Sequence, residues 1–213
     1  MIPENSTVFL VDDDPAVLKA LRRLLTAKGY DVRTFCSPQL FVDQHDASVA
    51  GCAVLDIAMP GLNGLQLQSV LAAGAVPRPV IFLTGRGDVP TSVTAMKAGA
   101  VDFLSKPINA RELMPAVERA IEQDARARLL RQELAEIDAK LSGLTPREHQ
   151  VLRHVISGRL NKQVAFELGT VEKTIKVHRG RMMRKLDVGT VAELVRLAEK
   201  AGITPISGPN GPR

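Results

Sequence analysis

Cys52-Ala53-Val54-Leu55-Asp56-Ile57-Ala58-Met59-Pro60-Gly61 decides how the rest of the chain reads. The run Cys52 to Leu55 is short and apolar, as expected of a strand covered on both faces in a parallel sheet. It ends in a carboxylate, and Met59-Pro60-Gly61 with Asn63-Gly64 turns the chain into a loop. Ligands of open α/β sheets bind beyond the carboxyl ends of strands, so Asp56 is a site candidate. Taken alone, it reads sooner as the cap of the next turn. Three further predicted strands end in polar groups. Val8 to Val11 meets Asp12-Asp13-Asp14, Val80 to Leu83 meets Thr84-Gly85, and Asp102 to Ser105 meets Lys106-Pro107. If the strands are parallel, all these groups gather on one edge. Close carboxylates repel unless a cation lies among them, and hard oxygen ligands suit Mg²⁺. Such an ion and a lysine would neutralise a phosphoryl group while a hydroxyl donates to its oxygens.

Helical patterns alternate with these strands, which indicates a doubly wound α/β sheet. Asp14 is placed to cap a helix opening at Pro15, whose Val17, Leu18, Leu21, Leu24 and Leu25 recur at helical spacing. Tyr30 to Phe35 reads as another strand, and helices follow Pro38, Asn63 and Asp88.

Asp12-Asp13, Asp56 before Met59-Pro60-Gly61, Thr84-Gly85 and Lys106-Pro107 together resemble the receiver domain of two-component response regulators. The resemblance covers about residues 1–122. It implies five parallel strands in the order 2-1-3-4-5 and an Asp56 that accepts a phosphoryl group from a sensor histidine kinase. It implies Mg²⁺ bound by Asp13, Asp56 and the backbone carbonyl of Ala58, with Asp12 assisting. Thr84 and Lys106 would contact phosphoryl oxygens, and Phe103 would turn inward with Thr84; Phe103 reads equally as an ordinary core residue. A cis peptide before Pro107 is common in the family. Ile108 stands where relatives commonly have Phe. The resemblance implies that Ala58 and Arg86 occupy positions that, in receivers, help set the phosphoryl lifetime.

From Asn109 to Leu141 the chain is rich in good helix formers, with Pro115 in its first turns. Leu130, Leu134, Ile137 and Leu141 follow coiled-coil spacing. Leu113, Val117, Ala120 and Ala127 carry a weaker version that Asp124 interrupts. The stripe is read as a dimerising linker helix over residues 123–141; packing on its own domain is the other reading.

Residues 142–203 read as an all-α unit. Thr145-Pro146-Arg147-Glu148 is a capping-box start. Asn161 is expected to cap a second short helix, and Gly169-Thr170 to turn the chain into a third, Glu172 to Leu186. That third helix interleaves Lys173, Lys176, Arg179, Arg181, Arg184 and Lys185 with Ile175, Val177, Met182, Met183 and Leu186. An apolar side seats it and a basic side faces outward, as a helix in the major groove requires. Leu144-Thr145-Pro146-Arg147-Glu148, Asn161-Lys162-Gln163-Val164-Ala165 and Thr174-Ile175-Lys176-Val177-His178-Arg179 resemble the LuxR-type output domain of the NarL/FixJ class. The resemblance implies that Lys176 and Val177 point at bases, with Lys173, Thr174 and Arg179 near the backbone; Arg181 and Arg184 complete the expected DNA-facing set. Gly180 departs from relatives that often carry a longer polar residue there.

Charge supports this division. Residues 1–122 hold 11 Lys and Arg against 13 Asp and Glu, a net −2; residues 123–213 hold 17 against 10, a net +7. A basic second half suits a polyanionic partner such as double-stranded DNA. No long uncharged apolar stretch or signal-peptide pattern is present, and Cys36 and Cys52 read as free buried thiols, so a cytoplasmic location away from membrane is expected. Met1 to Ser6 reads as a loose leader, and residues 204–213 as a disordered tail. An enzyme on a separate metabolite is not expected. A haloacid-dehalogenase-type phosphohydrolase would carry a second Asp where Ala58 stands. The expectation is therefore a DNA-binding response regulator whose phosphorylation at Asp56 controls dimerisation or dimer geometry at a promoter. Its rival is a constitutive linker-helix homodimer that the receiver only tunes.

Overall fold

The computed structural model describes residues 6–74, 76–85 and 89–206. Arg86, the leader residues before Ser6 and, of the expected tail 204–213, the residues from Ser207 lie outside the described residues; Ile206 is described, and its N–H donates to Ser157 Oγ at 2.9 Å. The chain divides into two compact units, residues 1–128 and 129–213.

The first unit alternates strand and helix: β1 (Thr7–Val11), α1 (Pro15–Ala27), β2 (Asp31–Phe35), α2 (Pro38–Gln44), β3 (Gly51–Asp56), α3 (Gly64–Ala73), β4 (Val80–Thr84), α4 (Val89–Lys97), β5 (Asp102–Ser105) and the start of α5 (Ala110–Ser142). All strand pairs are parallel, in the order β2-β1-β3-β4-β5. Alternation within each strand explains the unbroken apolar runs. Val8, Leu10, Cys52, Val54, Ile81 and Leu83 pack towards α1 and α5. Phe9, Val11, Ala53, Leu55, Val80 and Phe82 pack with Phe41, Leu67, Leu71 and Ala95 of the helices on the other face. Both faces are covered, so neither half of the pattern can be polar. The Asp14 side chain accepts from the Ala16 N–H at 2.8 Å and Pro15 opens α1, as its sequence predicts.

Two glycines are dictated by close approach. A Cβ on Gly64 would lie 2.5 Å from the Asp56 carbonyl oxygen. One on Gly51 would lie 1.8 Å from the Thr7 carbonyl oxygen, and Gly51 also has φ +141°.

Two expectations are corrected here. Cys52 is buried, but Cys36 is exposed, because it follows the last residue of β2 rather than lying in the sheet. Ser6, assigned to the leader, is buried beside β1.

The second unit contains the end of α5, α6 (Pro146–Ile156), α7 (Asn161–Glu167), α8 (Glu172–Leu186) and α9 (Val191–Lys200). Its core joins Val151, Leu152, Val155, Val164, Ala165, Ile175, Met182, Leu186 and Leu194 with Ile137 and Leu141 of α5. The coiled-coil spacing of α5 therefore splits. Ile137 and Leu141 are 9% and 8% exposed inside this core, whereas Leu130 and Leu134 are 56% and 38% exposed. Upstream, Leu113, Val117 and Ala120 are buried in the first unit's core. Among the described residues no helix is long and apolar enough to cross a membrane.

Candidate functional site

Parallel strands deliver the polar strand ends to one edge, as the alternation requires. Asp12 follows β1, Asp56 ends β3, Thr84 ends β4 and Lys106 follows β5. The Lys106 Nζ lies 2.7 Å from Asp12 Oδ2 and 3.0 Å from Asp56 Oδ1, so one ammonium bridges two buried carboxylates. Its backbone N–H donates to the Thr84 carbonyl at 2.7 Å, which ties β5 to β4 at the site. The peptide between Lys106 and Pro107 is cis. The Asp14 N–H donates to Asp12 Oδ1 at 2.9 Å.

Burial pushes the Asp12 carboxyl up; the Lys106 and Asp14 hydrogen bonds oppose this, and the Asp56 charge adds to it. Burial alone would lower the Lys106 ammonium, yet its hydrogen bonds to Asp12 and Asp56 outweigh that and raise it. Asp12, Asp13 and Asp56 each offer a carboxylate oxygen, all within 4.8 Å of one another. A hard-oxygen set with Asp13 exposed to solvent fits a hydrated divalent cation. Ala58, expected to lend its carbonyl, is exposed in the loop after β3.

The Thr84 hydroxyl donates to the Gly85 carbonyl at 2.9 Å, so its bond is local rather than to an acidic residue. Phe103 is half-buried, with its ring centroid 6.5 Å from that of Phe82.

The second surface is α8. Ile175, Met182 and Leu186 are fully buried. Opposite them lie Lys173, Lys176, Val177, Gly180 and Arg184, a row at three- and four-residue spacing, all exposed. Arg181 is exposed on its flank, and Thr174 is half-buried. Among the described residues nothing lies within 4 Å of a Cβ built on Gly180, so none of them requires a glycine there. Arg179 is half-buried, and its Nη1 donates to Asn161 Oδ1 at 3.0 Å. Asn161 is therefore a strut to α8 and not the cap of α7. Leu160 holds the cap position, its N–H donating to Gln163 Oε1 at 2.8 Å.

Lys185 also leaves the free basic face. Its Nζ donates to Glu148 Oε2 at 2.7 Å and to the Gly143 carbonyl at 3.0 Å. The same Glu148 oxygen accepts from the Thr145 N–H at 2.9 Å, so the expected capping box also anchors α8. The Lys185 hydrogen bond, then that of Thr145, holds the Glu148 carboxyl down to about 2 from its ordinary 4.5. The folded value is the depressed one. Its stabilisation is therefore complete above about 4.5 and is lost as pH falls towards 2. Glu148→Ala is expected to destabilise the second unit by roughly 1–3 kcal/mol at pH 7. It should also flatten the acid limb of its stability, read as urea midpoints across that pH window. An unchanged acid limb would remove Glu148 from this role.

Sequence reading missed three partnerships: Asp124 with Gly51, Glu148 with Lys185, and Asn161 with Arg179. Only the four-residue spacing of Asp124 and Arg128 left a trace, as a pair facing along one helix.

The response regulator receiver domain model matches residues 8–118, and that of bacterial regulatory proteins of the luxR family matches residues 142–198. Nodulation protein W of Bradyrhizobium diazoefficiens is 42% identical over 200 residues, covering 94% of this chain and 88% of that protein. Transcriptional regulatory protein FixJ of the same organism is 40% identical over 196 residues, covering 92% and 96%. The solved structure of response regulator StyR is 44% identical, with a TM-score of 0.84 over 92% of this chain and 99% of that one.

Proposed function

This chain belongs to the NarL/FixJ class of two-component response regulators, and on that premise we propose that Asp56 receives the phosphoryl group that controls its DNA-binding unit. The observation that carries the proposal is the Lys106 ammonium between Asp12 and Asp56, on the edge where β4 also ends in Thr84.

In this reading the Asp56 carboxylate attacks the phosphorus of a phosphohistidine on a sensor kinase, and the histidine nitrogen leaves. Asp12, Asp13, Asp56 and the Ala58 carbonyl would hold Mg²⁺, which when bound neutralises charge on the phosphoryl oxygens. Lys106 then shifts from the Asp56 oxygen to a phosphoryl oxygen. Thr84 exchanges the Gly85 carbonyl for another, and Phe103 follows into the space that Thr84 leaves. The new arrangement favours a homodimer, which sets two α8 helices on a near-palindromic promoter site. Lys176 and Val177 face bases, and Lys173, Thr174, Arg179, Arg181 and Arg184 face the backbone or flank it. The protein acts in the cytoplasm as a regulator and not as an enzyme on a separate substrate.

Exposed Leu130 and Leu134 favour a second reading, a dimer already formed through α5. Light scattering separates the two. With Mg²⁺ and beryllofluoride, the mass is expected to move from one chain towards two, and to stay at one chain in Asp56→Ala. A mass of two chains in every condition would assign the dimer to α5.

A further inference from the structure

Asp124 interrupts the apolar stripe of α5, and the fold gives it a partner 73 residues away. It is 1% exposed, and its Oδ2 accepts from the Gly51 N–H at 2.8 Å and from Arg128 Nε at 2.6 Å. Gly51 is the first residue of β3, and Asp56 is the last of that same strand. Arg128 reaches on to the loop before β3. Its Nη1 donates to the Ser48 carbonyl at 2.8 Å, and its Nη2 to those of Ala47 and Val49 at 2.9 and 2.8 Å. Arg78 grips the same loop from the β4 side, donating to the Asp46 and Val49 carbonyls at 3.0 and 2.9 Å. Arg78 Nη1 and Asp124 Oδ1 are buried without hydrogen-bond partners among the described residues.

This network is far from the acidic edge: the length of β3 separates them, about 17 Å at ~3.3 Å per residue. Nothing in the phosphoryl chemistry uses it. Buried ion pairs contribute little net stability, and their best-attested service is to fix one arrangement among several. What is fixed here is the seat of α5 on the sheet, at the last turns before the helix continues towards Ile137 and Leu141.

We propose that Asp124 and Arg128 are positioning residues of the signalling path, fastening the outgoing turns of α5 to the start of the strand that carries Asp56. With the seat fixed, a rearrangement of the sheet around β3 must move α5. With the seat loose, it is absorbed there. The inference rests on the reading that phosphorylation of Asp56 governs DNA binding.

The test uses the full chain as wild type, Arg128→Ala and Asp124→Asn. Asp124→Asn keeps the volume and an acceptor for the Gly51 N–H but discards the charge. Phosphoryl uptake from acetyl phosphate is followed on phosphate-affinity gels. Affinity is measured, with and without Mg²⁺ and beryllofluoride, for a duplex selected by the wild type from a randomised pool. The mimic is expected to change wild-type affinity by about 5- to 150-fold and that of Arg128→Ala by no more than about twofold. Uptake should stay within about twofold of wild type, which a collapsed receiver would not allow. Asp124→Asn is read in the same way if Arg128→Ala does not fold. A variant that responds like the wild type overturns the proposal, as does a parallel loss of uptake. Failure of both variants to fold assigns the network to stability and overturns it too. A wild type that ignores the mimic overturns the reading of Asp56 and this inference with it.

Discussion

Asp56→Ala is expected to reduce phosphoryl uptake from acetyl phosphate to background, with the chain still folded and its second unit unchanged. The carboxylate is the nucleophile, and Ala offers no oxygen for the bond. Folding should survive because Lys106 keeps its 2.7 Å partner Asp12, so the buried cation is not orphaned. Asp12 also loses the neighbouring carboxylate that helps push its own carboxyl up. Lys106→Ala is the informative companion. It leaves Asp56 in place but removes the fixed positive charge, and deletion of one preorganised electrostatic group costs about 10²–10³ in rate. Slow uptake in Lys106→Ala beside none in Asp56→Ala would assign the two roles. Full uptake in Asp56→Ala, located by mass spectrometry to another residue, would sink the assignment.

The second large effect is expected on α8. Lys173, Lys176, Arg181 and Arg184 are exposed, and among the described residues no ion pair holds any of them. If Lys173, Arg181 and Arg184 each meet one phosphate and Lys176 meets a base, replacing all four with Ala lowers the slope of log affinity against log salt by roughly 2.7, at ~0.9 per phosphate contact. Near 0.1 M salt that slope alone is worth about 10²–10³ in affinity relative to 1 M. The fold should be spared, since Ile175, Met182 and Leu186 still seat the helix and Lys185 still holds Glu148. Arg179 is left out of the set because it braces Asn161, and its loss would mix stability with binding. An unchanged salt slope would show that DNA meets another face.

Much of this molecule was legible in its residues because the deciding signals are local. Val8 to Val11 and Cys52 to Leu55 declare buried strands by composition alone. Pro15 after Asp14 and Thr145 with Glu148 declare helix starts by short-range hydrogen bonding. Asp12, Asp56, Thr84 and Lys106 could be expected to meet because parallel strands bring their ends to one edge, whatever the details of packing.

Periodicity along α5 states that a side is apolar, but not what covers it. Leu113 and Val117 pack on the sheet, Ile137 and Leu141 enter the second core, and Leu130 and Leu134 remain exposed, all at similar spacing. A charge in a helix states nothing about its partner. Asp124 looked like a flaw in a heptad until the fold set Gly51 against it, and Lys185 looked like part of a DNA-facing side until Glu148 took it inward. The elements, their order and the edge where the chemistry gathers follow from the residues alone, since each depends on neighbours a few positions away. Which polar groups hold the frame and which stay free is settled in the folded chain, because that depends on residues tens of positions apart competing for the same few hydrogen bonds.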